Sequence, residues 1–197
     1  MRTYGFTSAL LRLPTCLLLL SLLLSTSISA DETRLPKVSR TKFEYQPSDL
    51  LYFARSETIL VTDDHAWGTG TVTISKDGGK TWDSIPELAD AQIIKVYMNP
   101  HNNQIAIAAG AERKHWITKD QGRTWKSFET KLHPNFAVPP FSFHSLDKDR
   151  IIMNMRDIDG PEAGERTLYT TDGFDTHPAV LREQTVRCLW ALSLIHI

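Results

Sequence analysis

Residues 75–82 read SKDGGKTW and residues 118–125 read TKDQGRTW. Asp, Gly, Thr and Trp return at fixed places 43 residues apart, while the residues between them drift. A turn-rich octet set between strands leaves backbone N–H groups unpaired, and each buried unpaired donor costs roughly 1–3 kcal/mol. A short carboxylate can accept several such donors, which assigns that role to Asp77 and Asp120. Gly79 and Gly122 supply a backbone position with positive φ that a Cβ would resist. The hydroxyls of Ser75, Thr81, Thr118 and Thr124 add local bonds to the backbone. Trp82 and Trp125, read as the first residues of the outgoing strands, offer broad apolar faces on which the turn can rest. The octet therefore reads as a self-contained hairpin clamp, repeated because the structural unit around it repeats. A calcium loop is the rival reading, but neither octet has the alternating oxygen ligands and closing Glu of an EF-hand, so no metal is expected.

Outward from the octets the same grammar recurs. TILVT (58–62) and TVTIS (71–75) precede the first and WDSI (82–85) follows it. IIKVY (93–97), QIAIAA (104–109) and KHWIT (114–118) precede the second and WKSF (125–128) follows it. These β-branched and aromatic runs read as short strands. A third copy is weaker: FSFH (141–144), RIIMNM (150–155) and RTLYTT (166–171) lead to TTDGFDT (170–176), with Asp172 falling 52 residues after Asp120. The extra length lies in RDIDGPEAGE (156–165), a polar stretch that reads as a lengthened hairpin loop. In this copy Phe174 stands where the second glycine belongs, Gly173 sits one place earlier and His177 replaces Trp, which predicts a weaker clamp. Units of about 40–50 residues holding four short strands have the period of propeller blades. The expected fold is all-β, a partial β-propeller of about three blades. Polar, Pro-bearing joints such as KLHPNFAVPP (131–140) separate the blades.

Of the 197 residues, 22 are Lys or Arg and 23 are Asp or Glu, so no global charge draws the chain to nucleic acid or to an anionic membrane. Hydrophobic residues at 41% and charged residues at 23% supply a packed core. The first thirty residues stand apart: Arg2 and Arg12, then the apolar run CLLLLSLLL (16–24), then STSISA ending at Ala30. That order reads as a cleaved secretory signal over 1–30, since the apolar run is too short for the roughly 20 residues of a membrane span. Cleavage removes Cys16 and leaves Cys188 alone, so Cys188 has either a partner elsewhere or a buried free thiol. The seven histidines show no metal-ligand spacing and read mostly as surface or turn residues. DDH (63–65) reads as turn chemistry rather than a metal or acid/base cluster.

The octets are similar to the Asp-box hairpins of sialidases, other secreted glycosidases and sorting receptors. The longer stretches TKFEYQPSDLLYFARSETILV (41–61), KHWITKDQGRTWKSFET (114–130), PPFSFHSLDKDRIIMN (139–154), LYTTDGF (168–174) and CLWA (188–191) resemble the start of the luminal domain of fungal vacuolar protein sorting receptors of the sortilin family. The resemblance implies a signal peptide (1–30), a leader (31–44), a sortilin-type propeller segment (45–191) and a divergent tail LSLIHI (192–197) that reads as a foreign or mistranslated end. It implies a non-enzymatic type I receptor of the late Golgi and endosomes, with no cofactor, that binds soluble vacuolar hydrolase precursors. Retromer and clathrin adaptors would engage a cytosolic tail, and the membrane a transmembrane helix, neither of which lies in this sequence. Within CLWA, Cys188 resembles a family cysteine whose disulfide partner lies further along the chain. No ligand-contact or catalytic residue is carried over.

Two other functions are weighed. A sialidase-like glycosidase would need an arginine cluster and a carboxylic acid beside its nucleophile. RLP (34–36) echoes the Arg-x-Pro of sialidases, and nothing downstream completes such a site. A secreted, non-enzymatic Asp-box scaffold would share these blades and differ in having no transmembrane span. The basic residues Arg34, Lys37, Arg40 and Lys42 read as a solvated leader.

Overall fold

Every β-branched or aromatic run singled out above is a strand in the computed structural model, which describes residues 40–63, 70–158 and 164–182. The expected signal (1–30), the leader up to residue 39, Asp64 and His65, Cys188 with the CLWA stretch, and the tail (192–197) lie outside the described residues. The described residues fall within one compact unit.

Thirteen strands among the described residues assemble into three sheets. The first pairs β1 (Pro47–Tyr52), β2 (Ile59–Asp63), β3 (Val72–Ser75) and β4 (Asp83–Ser84) antiparallel in chain order. A 3-10 turn at Pro86–Leu88, with Leu88 buried, leads to the second. There β5 (Ile93–Met98), β6 (Ala106–Gly110), β7 (Lys114–Thr118) and β8 (Lys126–Glu129) repeat the arrangement. In the third, β9 (His133–Pro134) and β10 (Phe141–Phe143) both pair with β11 (Ile151–Asp157), followed by β12 (Gly164–Thr170) and β13 (Ala179–Arg182). A backbone bridge between Gly70 and Ile93, with bonds of 2.8 and 3.3 Å, joins the first sheet's side to the second.

The burial pattern explains the order of the sheets. In β6 all five residues are buried, because the second sheet is covered on both faces. Ala106, Ala108, Trp116 and Trp125 enter one core with Phe53, Leu60, Val72 and Ile74 of the first sheet. Ile107, Ala109, Ile117 and Phe128 enter the other with Phe141, Ile151, Met153 and Leu168 of the third. Alternate side chains of one strand thus serve two interfaces, as the pleat requires. Each fully buried Leu, Ile or Phe contributes about 1.5–3 kcal/mol.

Size is exchanged between successive interfaces. A Cβ at Gly122 would come within 3.3 Å of Leu60 Cδ2 and Ile74 Cδ1 and within 3.6 Å of the Phe53 ring, so the second octet lies flat on the first sheet. In the third octet Phe174 takes the place of Gly122 and stacks on Phe128, with centroids 3.7 Å apart and planes at 12°. The second-sheet residue matching Phe53 is Asn99: their amides make the equivalent bonds to the Thr58 and Ile105 carbonyls at 3.3 and 2.9 Å. Where a sheet offers Phe the next octet offers Gly, and where it offers Asn the next octet offers Phe.

Three sequence expectations need correction. Trp82 and Trp125 are not the first strand residues, since β4 starts at Asp83 and β8 at Lys126; each indole stays in the turn because its N–H is bonded there. The stretch 156–165 is not all loop, because β11 and β12 pair through Arg156–Glu165 and Asp157–Gly164, so both of its ends belong to strands. The joint 131–140 contains β9, which extends the edge of β11 past β10. The sequence reading also missed β1, whose Pro47 and Asp49 weaken its strand signal, although Leu51 packs against the first core.

Gly122→Ala should destabilise the protein by about 2 kcal/mol, from a left-handed backbone and a crowded Cβ together. Gly78→Ala, with φ of 72° but nothing within 4 Å of the new carbon, should cost about 1 kcal/mol. Urea unfolding of the two variants measures the difference, and equal losses would show that the second octet is not tightly packed on the first sheet.

Candidate functional site

The three octets share one bonding scheme. Asp77 Oδ1 accepts the backbone N–H groups of Lys80 and Thr81, each at 2.9 Å, while Oδ2 accepts the Thr81 hydroxyl at 2.7 Å. Ser75 Oγ donates to Asp77 at 2.9 Å and accepts the Gly79 amide at 2.8 Å. Asp120 accepts Thr124 N–H at 2.9 Å and the Thr124 hydroxyl at 2.7 Å, and Thr118 Oγ1 bridges Asp120 and the Gly122 amide at 2.8 Å each. Asp172 accepts Thr176 N–H and hydroxyl at 3.0 and 2.6 Å, with Thr170 Oγ1 donating at 2.8 Å and accepting the Phe174 amide at 3.2 Å. The indole N–H groups of Trp82 and Trp125 reach the Gly79 and Gly122 carbonyls, both at 3.1 Å. His177 replaces that indole, so the third octet keeps the carboxylate scheme without the Trp bond.

A second feature is common to all three. The amides of Gly78, Gln121 and Gly173 donate to the carbonyls of Glu57, Gln104 and Asp149, each at 2.9 Å, tying each octet to the turn between the first two strands of its own sheet. This geometry needs two successive left-handed residues: Gly78 and Gly79 (φ 72° and 89°), Gln121 and Gly122 (63° and 81°), Gly173 and Phe174 (62° and 71°). The sequence reading credited one glycine per octet and missed Gln121. The available signal was the alternation of glycine between two adjacent positions, since Gly173 is not displaced but occupies the first of the pair.

These bonds hold the carboxylates ionised. Donation by the Thr81 amide, then by its hydroxyl, lowers Asp77 to a pKa of about 2. For Asp120 burial pulls upward but is outweighed by the Thr124 hydroxyl and amide, and Asp172 is lowered chiefly by the Thr176 hydroxyl. Folded values below the ordinary 3.8 mean that the stabilisation is present above pH 4 and is lost only as pH falls through the folded values. A carboxylate held ionised by donors from its own turn acts as a hydrogen-bond acceptor and has no proton to give. No group of three or more metal-ligating side chains occurs among the described residues.

His115 departs from the surface or turn role expected of the histidines. It projects from β7 toward the third sheet and is fully buried, with Phe141 edge-on at 5.5 Å. Its Nδ1 accepts the Gly110 amide at 3.2 Å, which makes Nε2–H the donor to Thr130 Oγ1 at 3.1 Å, and Thr130 in turn donates to the Leu132 carbonyl at 2.7 Å. Burial, with a smaller contribution from His133, pushes its pKa down to about 4. The turn that His115 anchors lies at the end of the sheet opposite the octets and parts two clefts. One, of about 390 Å³, is lined by Pro86, Gln92, Glu112, Lys114 and Trp116. The other, of about 540 Å³, is lined by Arg113, His133, Pro134, Arg156 and Ile158.

Comparison with known proteins adds a relationship to this geometry. A family model described as Sortilin-Vps10 (Sortilin, neurotensin receptor 3) matches residues 70–195. The protein named Vacuolar protein sorting/targeting protein 10 of Uncinocarpus reesii is 33% identical over 180 residues, which are 90% of this chain and 12% of that protein. Its namesake in Sordaria macrospora is 38% identical over 80% of this chain and 10% of its own length. That of Pyrenophora tritici-repentis is 39% identical over 88% of this chain and 11% of its own. The chain thus spans about a tenth of the length of the relatives it matches. Among solved structures, a GH74 enzyme of Niastella koreensis aligns with a TM-score of 0.50 at 15% identity, over 74% of this chain and 24% of its own. That likeness is one of fold alone, and the three stacked sheets are blades of a partial β-propeller.

Asp120→Ala should lower the melting temperature more than Asp172→Ala, because Asp120 is the more enclosed carboxylate and its turn carries the indole bond as well. Equal shifts would reverse that ranking. Stability should also fall as pH drops from about 6.5 toward 4, where the unfolded chain protonates His115 and the folded one does not. The loss reaches about 2 kcal/mol near pH 5. Denaturant midpoints of His115→Gln should be correspondingly flatter over that range than those of the parent.

Proposed function

The chain belongs to the Sortilin-Vps10 family, and we propose that it forms part of the luminal propeller of a vacuolar sorting receptor, which binds soluble hydrolase precursors in the late Golgi and carries them to endosomes. The observation that carries this reading is the family match across residues 70–195, together with relatives that share 33–39% identity over most of this chain. Cargo would be met at the end away from the octets, where the 110–114 turn and the two clefts beside it lie. The octets then act as fasteners, holding each blade rigid so that its exposed turns keep their positions. Their carboxylates stay ionised in a mildly acidic lumen, whereas His115, buried between the second and third blades, makes that interface less stable there.

A longer chain carrying this segment would place its transmembrane helix and cytosolic tail further along, with retromer and clathrin adaptors as partners of the tail. Two alternatives differ in kind. A sialidase-like glycosidase draws on fold likeness to a GH74 enzyme at 15% identity, which does not extend to chemistry. A secreted Asp-box scaffold would share the blades but show no cargo selectivity. The whole luminal region, immobilised at neutral pH, should retain soluble vacuolar hydrolase precursors and release them on acidification. Failure to retain any would remove the receptor reading, and hydrolysis of a fluorogenic sialoside would replace it with the glycosidase.

A further inference from the structure

The smaller of the two clefts is walled by the segment that joins the first sheet to the second. There the amides of Leu88, Ala89 and Ala91 donate to the carbonyls of Ile85, Pro86 and Leu88, at 2.9, 3.3 and 3.1 Å, so the segment winds in turns of the i→i+3 type. Residues three apart eclipse in such winding, which sets Glu87 and Asp90 along one wall of the cleft, while Leu88 between them is turned into the core. The Ala111 amide donates to the Gln92 carbonyl at 2.8 Å and ties this wall to the 110–114 turn. Pro86, Ala91 and Trp116 give the volume of about 390 Å³ an apolar lining. Its charged lining is three carboxylates and one ammonium, those of Glu87, Asp90, Glu112 and Lys114. The Lys114 ammonium lies 5.5 Å from the centre of the Trp116 ring, and Glu112 Oε2 lies 3.2 Å from His133 Nδ1. Arg113, in the same turn, lines the other cleft. Glu87 and Asp90 remain, both exposed and with no ion pair or side-chain hydrogen bond among the described residues.

We propose that this cleft is a docking site for a Lys- or Arg-bearing peptide segment of a partner protein, whose basic side chain is received by Glu87 and Asp90 while its methylenes lie along Pro86 and Ala91. Three carboxylates against one ammonium leave the lining net acidic, and that ammonium is held over the indole, so charge complementarity selects a cation. The lining also selects which cation. No three metal-ligating side chains come together among the described residues. A long basic side chain, by contrast, joins an apolar stem to a charged head and so fits a wall where Pro and Ala stand beside Glu and Asp. An acidic peptide or a nucleic acid would meet repulsion there. The inference deepens the receptor reading by naming the chemistry of one contact, and it stands for any partner that presents Lys or Arg in an extended segment.

The test is fluorescence anisotropy of the full chain at low salt with a labelled, amidated pentalysine peptide, with pentaglutamine as its uncharged counterpart and pentaglutamate as its opposite. Pentalysine should bind and the other two should not. Glu87→Gln combined with Asp90→Asn should weaken binding roughly tenfold, as two exposed ion pairs require. Lys114→Gln should strengthen it about threefold by removing the competing ammonium. Glu57→Gln, which removes a carboxylate from the octet end, should leave it unchanged. Should the double variant fail to fold, Lys114→Gln carries the test alone, and an unchanged affinity then overturns the proposal. No pentalysine binding, equal weakening by Glu57→Gln, or binding of pentaglutamate as tight as that of pentalysine would overturn it as well. Precursor retention by the whole luminal region is a separate readout, so either idea can fail while the other holds.

Discussion

The structure depends on one small device, an aspartate carboxylate that closes its own turn. Asp77, Asp120 and Asp172 each gather amide and hydroxyl donors from the residues that follow them, and in each case the neighbouring amide is bound to the first turn of the same sheet. A four-stranded sheet of short strands is poorly held by its ladder alone, because its strands offer few hydrogen bonds and fray at their ends. Joining the third turn to the first locks the sheet as a unit. The cost is a pair of left-handed residues in every octet, met by glycine where one is present and by Gln121 and Phe174 where it is not.

Rigid blades are useful only if they stack in a defined order. The middle sheet shows how that order is set: alternate residues of β6 serve two different cores, and the bulk at each octet is matched to the preceding sheet. Gly122 lies where Phe53 already fills the space, and Phe174 fills the space beside Phe128. The first octet has no preceding sheet among the described residues, and there Phe43 packs edge-on against Trp82, with centroids 5.1 Å apart. The final residues of the expected leader thus take the position that a neighbouring blade takes elsewhere. In the proposed reading cargo meets the other end of the blades, away from these fastening bonds.

Much of this was legible in the residues. The octets, their strand-rich flanks and the weaker third copy identified the repeat because hydrogen-bond closure of a turn is a local matter, decided by residues within eight positions of one another. Strand existence was readable for the same reason in β2, β5, β7 and β11, where β-branched and aromatic residues cluster. β1 and β9 were not, since Pro47, Asp49, His133 and Pro134 carry little strand preference and pair only because a neighbouring strand presents its edge.

What the sequence by itself determined is the repeating unit and the carboxylate at its heart, because both depend on chemistry confined to a few adjacent positions. What only the tertiary structure decided is everything that joins residues distant in the chain. The burial of His115 between blades, the exchange of Phe and Gly across successive interfaces, and the meeting of Arg113, His133 and Arg156 around one cleft are of this kind. Each depends on which face of a sheet is covered and by what, and no local pattern contains that information until the sheets have stacked.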